Sequence, residues 1–248
     1  MDRYGLIGYP LGHSFSKAFF NQKFEDESLD AEYENYEITT IESLPEIVDT
    51  TPELKGLNVT IPYKRKVMDY LDTVSPEAAR VGAVNVIRIK RQDKKTILKG
   101  YNSDVIGFAQ SIEPMLEKYH KKALILGTGG ASNAVDFVLK NLGLQTQKVS
   151  RTKKENAIEY KDVTAETVEE YNVIVNCTPC GMYPNTEECP MLPYEAINGR
   201  NILYDLIYNP DNTLFMKKGI QQGATVKNGL EMLLLQAFAS WDFWNMED

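Results

Sequence analysis

Two regions of the chain carry residue types suited to chemistry. The first is GLNVTIPYKRKV at residues 56–67, where Lys64, Arg65 and Lys66 follow a strand-like run and a proline. A lysine ammonium can stabilise oxygen as it gains negative charge and hand it a proton. Asp104, in YNSD, is the carboxylate offered as its partner. Small hydroxyl and amide residues stand at the ends of neighbouring strand-like runs: Ser14 and Ser16 in LGHSFS, Asn58 and Thr60 in NVT, Asn85 in GAVN and Asn102 in YNSD. Singly, each is an ordinary cap or turn residue. Together they suit a cleft at the carboxyl ends of strands that takes a small polyhydroxylated molecule.

The second region is LILGTGGAS, an apolar run, a glycine turn and the start of a helical pattern. Gly127 and Gly129 occupy the first two glycine positions of a dinucleotide fingerprint, one for the tight turn and one for close approach of backbone to a pyrophosphate. Ser132 stands at the third position and is small enough for helix-to-strand packing. About twenty residues on, an NAD site presents an acid to the ribose hydroxyls, whereas a 2′-phosphate calls for arginine. Here the chain reads VSRTKK, with Ser150, Arg151 and Lys154 and no acid at the first two positions, which favours NADP. Hydride exchange at a carbon whose oxygen meets Lys64 is the chemistry that joins the two regions.

Cys177 and Cys180 form a CxxC in CTPC, and Cys189 is the third cysteine. A redox pair or half of a zinc site is one reading of that spacing. Zinc normally takes four ligands, and the two histidines, His13 and His120, lie far away in sequence. A strand end running into a Pro-Gly turn is the reading preferred here, with no metal.

Hydrophobic periodicity gives the elements that must position these residues. Strands are predicted at RYGLIGYP, AEYENYEI, LKGLNVTI, AVNVIRIK and TILKGYN, with helices over Lys17–Asp26, near Ile41–Thr50 and after Pro62, and a short segment at Ser75–Val81. Thr60 and Pro62 read as the cap region of that third helix, which carries Val67, Met68 and Leu71 on its apolar side. Cations in its first turn would oppose the helix dipole by about a few tenths of a kcal/mol each, which asks for a use for Lys64. Asp104 reads as the N-cap of an amphipathic helix through Leu116. A second series then alternates strands at KKALILG, LQTQKVSRT, NVIVNCTP, NILYDLIY and GATVKNG with helical stretches, ending in an apolar helix from GLEMLLLQ. This alternation defines an α/β protein of two lobes, the first with a mixed or mainly parallel sheet.

With 248 residues the chain can bury a substantial core. A formal net charge of −8 and only a short basic patch exclude a phosphate-backbone partner. No apolar run approaches the roughly 20 residues of a membrane span, and the N-terminus lacks a signal-peptide pattern. A cytoplasmic protein with a small-molecule partner, no nucleic acid and no membrane is expected, as a monomer or homodimer.

The motifs GYPLGHSFS, NVTIPYK, GAVN, GYNSDVIGF, GTGGAS, SRT, NCTPCGM, DLIYNP and NGLEMLLLQ, in this order over nearly the whole chain, resemble the shikimate dehydrogenase family. The resemblance implies an N-terminal α/β substrate domain (1–103 plus 229–248), a Rossmann-like NADP domain (104–228) and an active-site cleft between them. It also implies NADP-dependent, reversible reduction of 3-dehydroshikimate to shikimate in aromatic amino-acid biosynthesis. By the same resemblance, Lys64 and Asp104 form the catalytic pair. Ser14, Ser16 and Tyr208 bind the substrate carboxylate, and Asn58, Thr60, Asn85 and Gln236 hold ring hydroxyls with Asp104. Gly127, Gly129, Gly130 and Ala131 cradle the pyrophosphate, Ser150, Arg151 and Lys154 face the 2′-phosphate, and Gly229 lies near the nicotinamide. Both CxxC cysteines fall at variable positions of the family's Asn-x-Thr-Pro-x-Gly-Met segment. Lys17, Ser103 and Ser150 depart from the family's proline, threonine and asparagine. A quinate/shikimate dehydrogenase with broader substrate or NAD use is the alternative within enzymes, and a nucleotide-sensing module without turnover the alternative outside them.

Overall fold

The computed structural model describes residues 1–12, 15–92 and 95–247. By internal contacts the chain forms two compact units, Met1–Ser103 with Ala237–Asp248, and Asp104–Gln236.

The first unit is built on strands β1 (Asp2–Gly8), β2 (Ala31–Glu37), β3 (Leu54–Val59), β4 (Thr73–Val74), β5 (Val86–Gln92) and β6 (Lys95–Tyr101), in the order β2-β1-β3-β5-β6-β4. β1 runs parallel to β2 and β3, whereas β5 is antiparallel to β3 and β6, so the sheet is mixed. Helices α1 (Phe15–Asp26), α2 (Leu44–Thr50) and α3 (Pro76–Val81) connect these strands. The alternation of β1 separates two cores: Ile7 packs with Leu44, Leu57 and Val67, while Tyr4 and Leu6 pack with Phe20, Phe24 and Tyr33. Each such fully buried side chain is worth about 1.5–3 kcal/mol against exposure. Ser75 caps α3, accepting from the Ala78 N–H at 3.2 Å, and Gly82 ends it in the left-handed region at φ +69°.

The second unit contains α4 (Ser103–Ile112), β7 (Lys122–Leu126), α5 (Gly130–Asn141), β8 (Gln145–Ser150), β9 (Ala157–Glu159), α6 (Ala165–Glu170), β10 (Val173–Asn176), β11 (Ile202–Asp205), α7 (Leu214–Gln221), β12 (Thr225–Lys227) and the start of α8 (Leu230–Asn245). All pairs between these strands are parallel, in the order β12-β11-β10-β7-β8-β9. Such a sheet is covered on both faces, and β7 and β10 accordingly read as apolar runs that are almost wholly buried. Among the described residues, no helix is long and apolar enough to cross a membrane.

Two local expectations are corrected. The helix predicted after Pro62 is instead a series of turns followed by a 3-10 helix at Lys66–Tyr70. An α-helix would need the Lys64 carbonyl to accept from Met68, but that carbonyl accepts from Val84 N–H at 2.7 Å, and Met68 N–H turns to Arg65 O at 3.3 Å. The dipole conflict inferred for Lys64 therefore does not arise. Asp104 is not the cap of α4 but lies inside its first turn, because the helix already begins at Ser103, whose N–H is anchored by Asn85 Oδ1 at 2.7 Å. β9, a three-residue edge strand, was not anticipated.

Candidate functional site

In the first unit, a chain of buried hydrogen bonds joins β2 to the ends of β3, β5 and β6 and to α8. The Tyr33 hydroxyl, 0% exposed, donates to Asn58 Oδ1 at 2.8 Å. Asn58 Nδ2 donates to the Asn85 carbonyl at 3.3 Å and to Ser240 Oγ at 3.0 Å. Ser240 and Ser103 share a hydroxyl hydrogen bond of 3.1 Å, and Asn85 Nδ2 donates to Ser103 Oγ at 3.0 Å. Because both hydrogens of the Asn58 amide are committed, its oxygen is the face left for a further donor. Ser16, in the first turn of α1, lies beside the Tyr33 hydroxyl, whose ionisation burial pushes far up. Three expected residues, Ser16, Asn58 and Asn85, are thus brought onto one network. Ser14 lies outside the described residues.

Thr60 and Lys64 occupy the turn that follows β3. Thr60 N–H donates to Ile7 O at 2.9 Å, and Tyr63 between them is buried with its hydroxyl on Ile38 O at 2.7 Å. This pins the backbone that leads into the half-buried Lys64. Asp104 is 3% exposed at the start of α4.

Tyr33, Ser103 and Ser240 were missed from sequence. Tyr33→Phe keeps the ring stacked on Phe20, at 4.9 Å between centroids, but strips Asn58 Oδ1 of its donor. The variant is expected to lose about 1–2 kcal/mol in urea denaturation. Unchanged stability would show that the hydroxyl contributes nothing there.

In the second unit the glycine turn follows β7. Gly127 has φ +113°, and a Cβ there would stand 3.1 Å from Thr178 Cγ2, so both backbone and packing call for glycine. At Gly129, which caps α5 without a side-chain hydrogen bond, an added Cβ would meet nothing within 4 Å, so the turn at the start of that helix is uncrowded there. Gly130 and Ala131 form its first turn, and Ser132 Oγ donates back to Gly129 O at 2.7 Å. Lys154 reaches this turn, with Nζ 2.6 Å from Thr128 Oγ1. Ser150 ends β8 and Arg151 follows it, exposed. An open helix N-terminus with a lysine at its glycine turn and an exposed arginine at the next strand end fits a dinucleotide phosphate group.

At the ends of β10 and β11, Asn176 Nδ2 donates to Asp205 Oδ1 at 3.0 Å, and Asn176 Oδ1 accepts from Thr178 N–H and Oγ1 at 3.1 and 2.7 Å. Asp205 also accepts from Ile207 N–H at 3.1 Å and Thr213 Oγ1 at 2.7 Å. Burial is the main influence on Asp205 and raises its pKa to about 6, against these three donors, which lower it. Its folded pKa thus stands above the ordinary value near 3.8, so this group's contribution to stability falls as pH rises from about 4 through about 6, by about 3 kcal/mol. Gly229 N–H donates to Ile207 O at 3.0 Å just before α8. Tyr208 is exposed next to Ile207 in the loop after β11, and Gln236 is half-buried on α8. The cysteines are free, and burial raises both Cys177 and Cys180, so neither is poised as a thiolate.

Counted from β7, the strand order of this sheet is 3-2-1-4-5-6, that of the Rossmann fold, with the order reversing between β7 and β10. The glycine turn and the Asn176–Thr178 segment flank that switch point. The chain is therefore of the Rossmann dinucleotide-binding class, carrying a second α/β unit.

Residues 6–87 match the family model described as the shikimate dehydrogenase substrate binding domain. The shikimate dehydrogenase (NADP(+)) of Clostridium beijerinckii is 38% identical over 256 residues, covering 98% of this chain and 92% of its own. That of Methanococcus maripaludis is 36% identical over 260 residues, covering 97% and 90%. Shikimate 5-dehydrogenase from Thermus thermophilus, solved in complex with NADP(H) and shikimate, matches with a TM-score of 0.85 at 31% identity over 99% of this chain and 94% of that one. The chain belongs to the shikimate dehydrogenase family.

Proposed function

We propose that the protein catalyses the reversible, NADP-dependent reduction of 3-dehydroshikimate to shikimate, a step toward aromatic amino acids. The observation that carries this reading is identity of 36–38% along nearly the whole chain to relatives named shikimate dehydrogenase (NADP(+)). The reading takes Met1–Ser103 with the C-terminal segment as the substrate domain and the Rossmann-type unit as the nucleotide domain. It makes the protein a cytoplasmic enzyme, monomeric or homodimeric.

When bound, NADPH supplies the hydride that reduces the ketone. Lys64 stabilises the negative charge that grows on the ketone oxygen and donates the proton, and in the reverse direction it takes that proton back. Asp104 orients the Lys64 ammonium and holds a ring hydroxyl. Asn58, Thr60, Asn85 and Gln236 fix the ring by its other hydroxyls, while Ser14, Ser16 and Tyr208 take the carboxylate. Gly127, Gly129, Gly130 and Ala131 receive the pyrophosphate at the start of α5, and Gly229 faces the nicotinamide. Ser150, Arg151 and Lys154 receive the 2′-phosphate.

The test is turnover of purified protein with shikimate and either NADP⁺ or NAD⁺, followed by reduced-nicotinamide absorbance, with quinate in parallel. Turnover with shikimate and NADP⁺ is expected. Absence of turnover would overturn the reading, and efficient use of quinate would move the protein to the broader specificity. Arg151→Ala is expected to raise KM for NADP⁺ by about 10- to 100-fold, the loss of a charge-assisted hydrogen bond. Use of NAD⁺, which has no 2′-phosphate, should barely change. Equal losses with both nucleotides would remove Arg151 from the 2′-phosphate.

A further inference from the structure

We propose that Asp205 is a positioning residue for the nucleotide site, holding the segments after β7, β10 and β11 in one arrangement at the switch point of the parallel sheet. The inference rests on the reading in which this unit binds NADP.

Asp205 is 0% exposed, and the donors recorded on its carboxylate are all neutral: Asn176 Nδ2 and Ile207 N–H on Oδ1, and the Thr213 hydroxyl on Oδ2. The titratable groups that feel its charge are Cys177 and Cys180, from the loop after β10, and Tyr194. No cation compensates it among these, and burial disfavours its ionised form. Stability alone is a poor account of a carboxylate there.

Its hydrogen bonds run in two directions, each ending at a glycine of the cofactor site. Toward β7, Asp205 orients the Asn176 amide, whose oxygen is thereby turned to Thr178 N–H and Oγ1. Thr178 in turn packs its methyl against Gly127 of the glycine turn. The opposite amide orientation would set the Asn176 oxygen against the Asp205 carboxylate and its NH2 against Thr178 N–H, so Asp205, at 3.0 Å from Nδ2 and with the more distant Cys180 carbonyl at 3.4 Å, holds the way Asn176 faces. Toward α8, Asp205 fixes Ile207 N–H, and the Ile207 carbonyl accepts from Gly229 N–H at 3.0 Å. Thr213 completes the arrangement by capping α7, accepting from Met216 N–H at 3.3 Å while it donates to Asp205. One side chain thus sets the spacing between Gly127 and Gly229.

The role lies in hydrogen-bond geometry rather than charge, which gives asparagine and alanine opposite outcomes. In Asp205→Asn the remaining oxygen still accepts from Asn176 and Ile207, and the new NH2 faces the Thr213 hydroxyl, which has a lone pair to accept it. Asp205→Ala loses all three bonds. The readout is the dissociation constant of NADPH without substrate, titrated by reduced-nicotinamide fluorescence, with thermal unfolding as the check on folding. Asp205→Ala is expected to bind NADPH about 10- to 100-fold more weakly, Asp205→Asn within about 3-fold of the unaltered protein. KM for NADP⁺ should rise in the alanine variant while KM for shikimate changes little. Should Asp205→Ala fail to fold, Asn176→Ala carries the test, since it severs only the branch toward Gly127 and keeps Asp205 on Ile207 and Thr213; weaker NADPH binding is again expected. Where both fold, the double variant should lose less affinity than the two single losses combined, because residues acting through one network are not additive, and full additivity would count against the proposal. Unchanged NADPH affinity in a folded Asp205→Ala or Asn176→Ala, or an asparagine variant as impaired as alanine, would overturn the proposal. If the unaltered protein itself fails to bind NADPH, the functional reading falls first and takes this inference with it.

Discussion

Lys64→Ala lowers kcat for shikimate oxidation by about 10²- to 10⁴-fold, with a smaller change in KM, the range usual for loss of a general acid-base group. The position suits a test that separates chemistry from folding. What Lys64 contributes to the fold through its backbone is the carbonyl that accepts from Val84 N–H, and alanine keeps it. Tyr63 and Thr60 hold the turn on the other side through their own bonds. Thermal unfolding should therefore change little while steady-state turnover collapses. Lys64→Arg should not restore the rate, because a guanidinium stays protonated and cannot take the proton from the substrate hydroxyl. Near-full kcat in the alanine variant would remove Lys64 from the reaction.

Gly229→Ala should damage both stability and nucleotide binding. An added methyl would land on the Leu206 carbonyl oxygen and within 2.6 Å of its carbon, and these are backbone atoms that no rotamer change can move aside. The strand end is held there from several directions: Leu206 N–H donates to Asn176 O at 3.0 Å, and Gly229 N–H to Ile207 O at 3.0 Å. Overpacking of this kind costs about 3 kcal/mol. It should appear as a drop of about 6–12 °C in the thermal midpoint for a chain of this size. Separation of the Gly229 segment from Leu206 should also raise the NADPH dissociation constant. A variant with unaltered midpoint would show that the two segments part without cost.

What could be read from the sequence was what depends on local rules. The glycine turn announced itself, because an apolar strand, Gly127, Gly129 and a helix start are adjacent in the chain, and the parallel series that follows is spelled out by alternating strand and helix periods. The first sheet was legible only as mixed or mainly parallel, because the antiparallel pairing of β5 with β3 and β6 leaves no mark on the strand periods. The path around Lys64 was misjudged for a non-local reason: Thr60 and Pro62 are sound helix-start signals, but Val84, from a distant segment, captures the carbonyl on which the helical ladder depends. Asp104 lost the cap position because the helix starts one residue earlier, at Ser103, whose N–H a distant side chain, Asn85, anchors. Tyr33 sits in AEYENYE, where an aromatic in an alternating strand reads as core. Only the pairing of β1 with β2 and β3 brings its hydroxyl to Asn58. Asp205 was in view within DLIYNP, but its complete burial follows from elements distributed over the whole second unit. β9 is three residues long in a polar stretch, too short to generate a period.

The segment Ala237–Asp248 completes the first unit although the whole second unit precedes it in the chain. Trp244 donates from Nε1 to Ile87 O at 3.1 Å and sets its ring 4.9 Å from Tyr4 and 5.2 Å from Phe20, while Ser240 joins Asn58 to Ser103. On the ribosome, residues 104–236 all emerge before these groups do. The nucleotide-type unit can close its sheet during synthesis, whereas the unit begun first must wait with Tyr4, Phe20 and the Asn58 amide uncovered until the last turns of α8 arrive. Order of translation and order of maturation are thus reversed. It is the early-made half of the protein that depends on protection during its own biosynthesis.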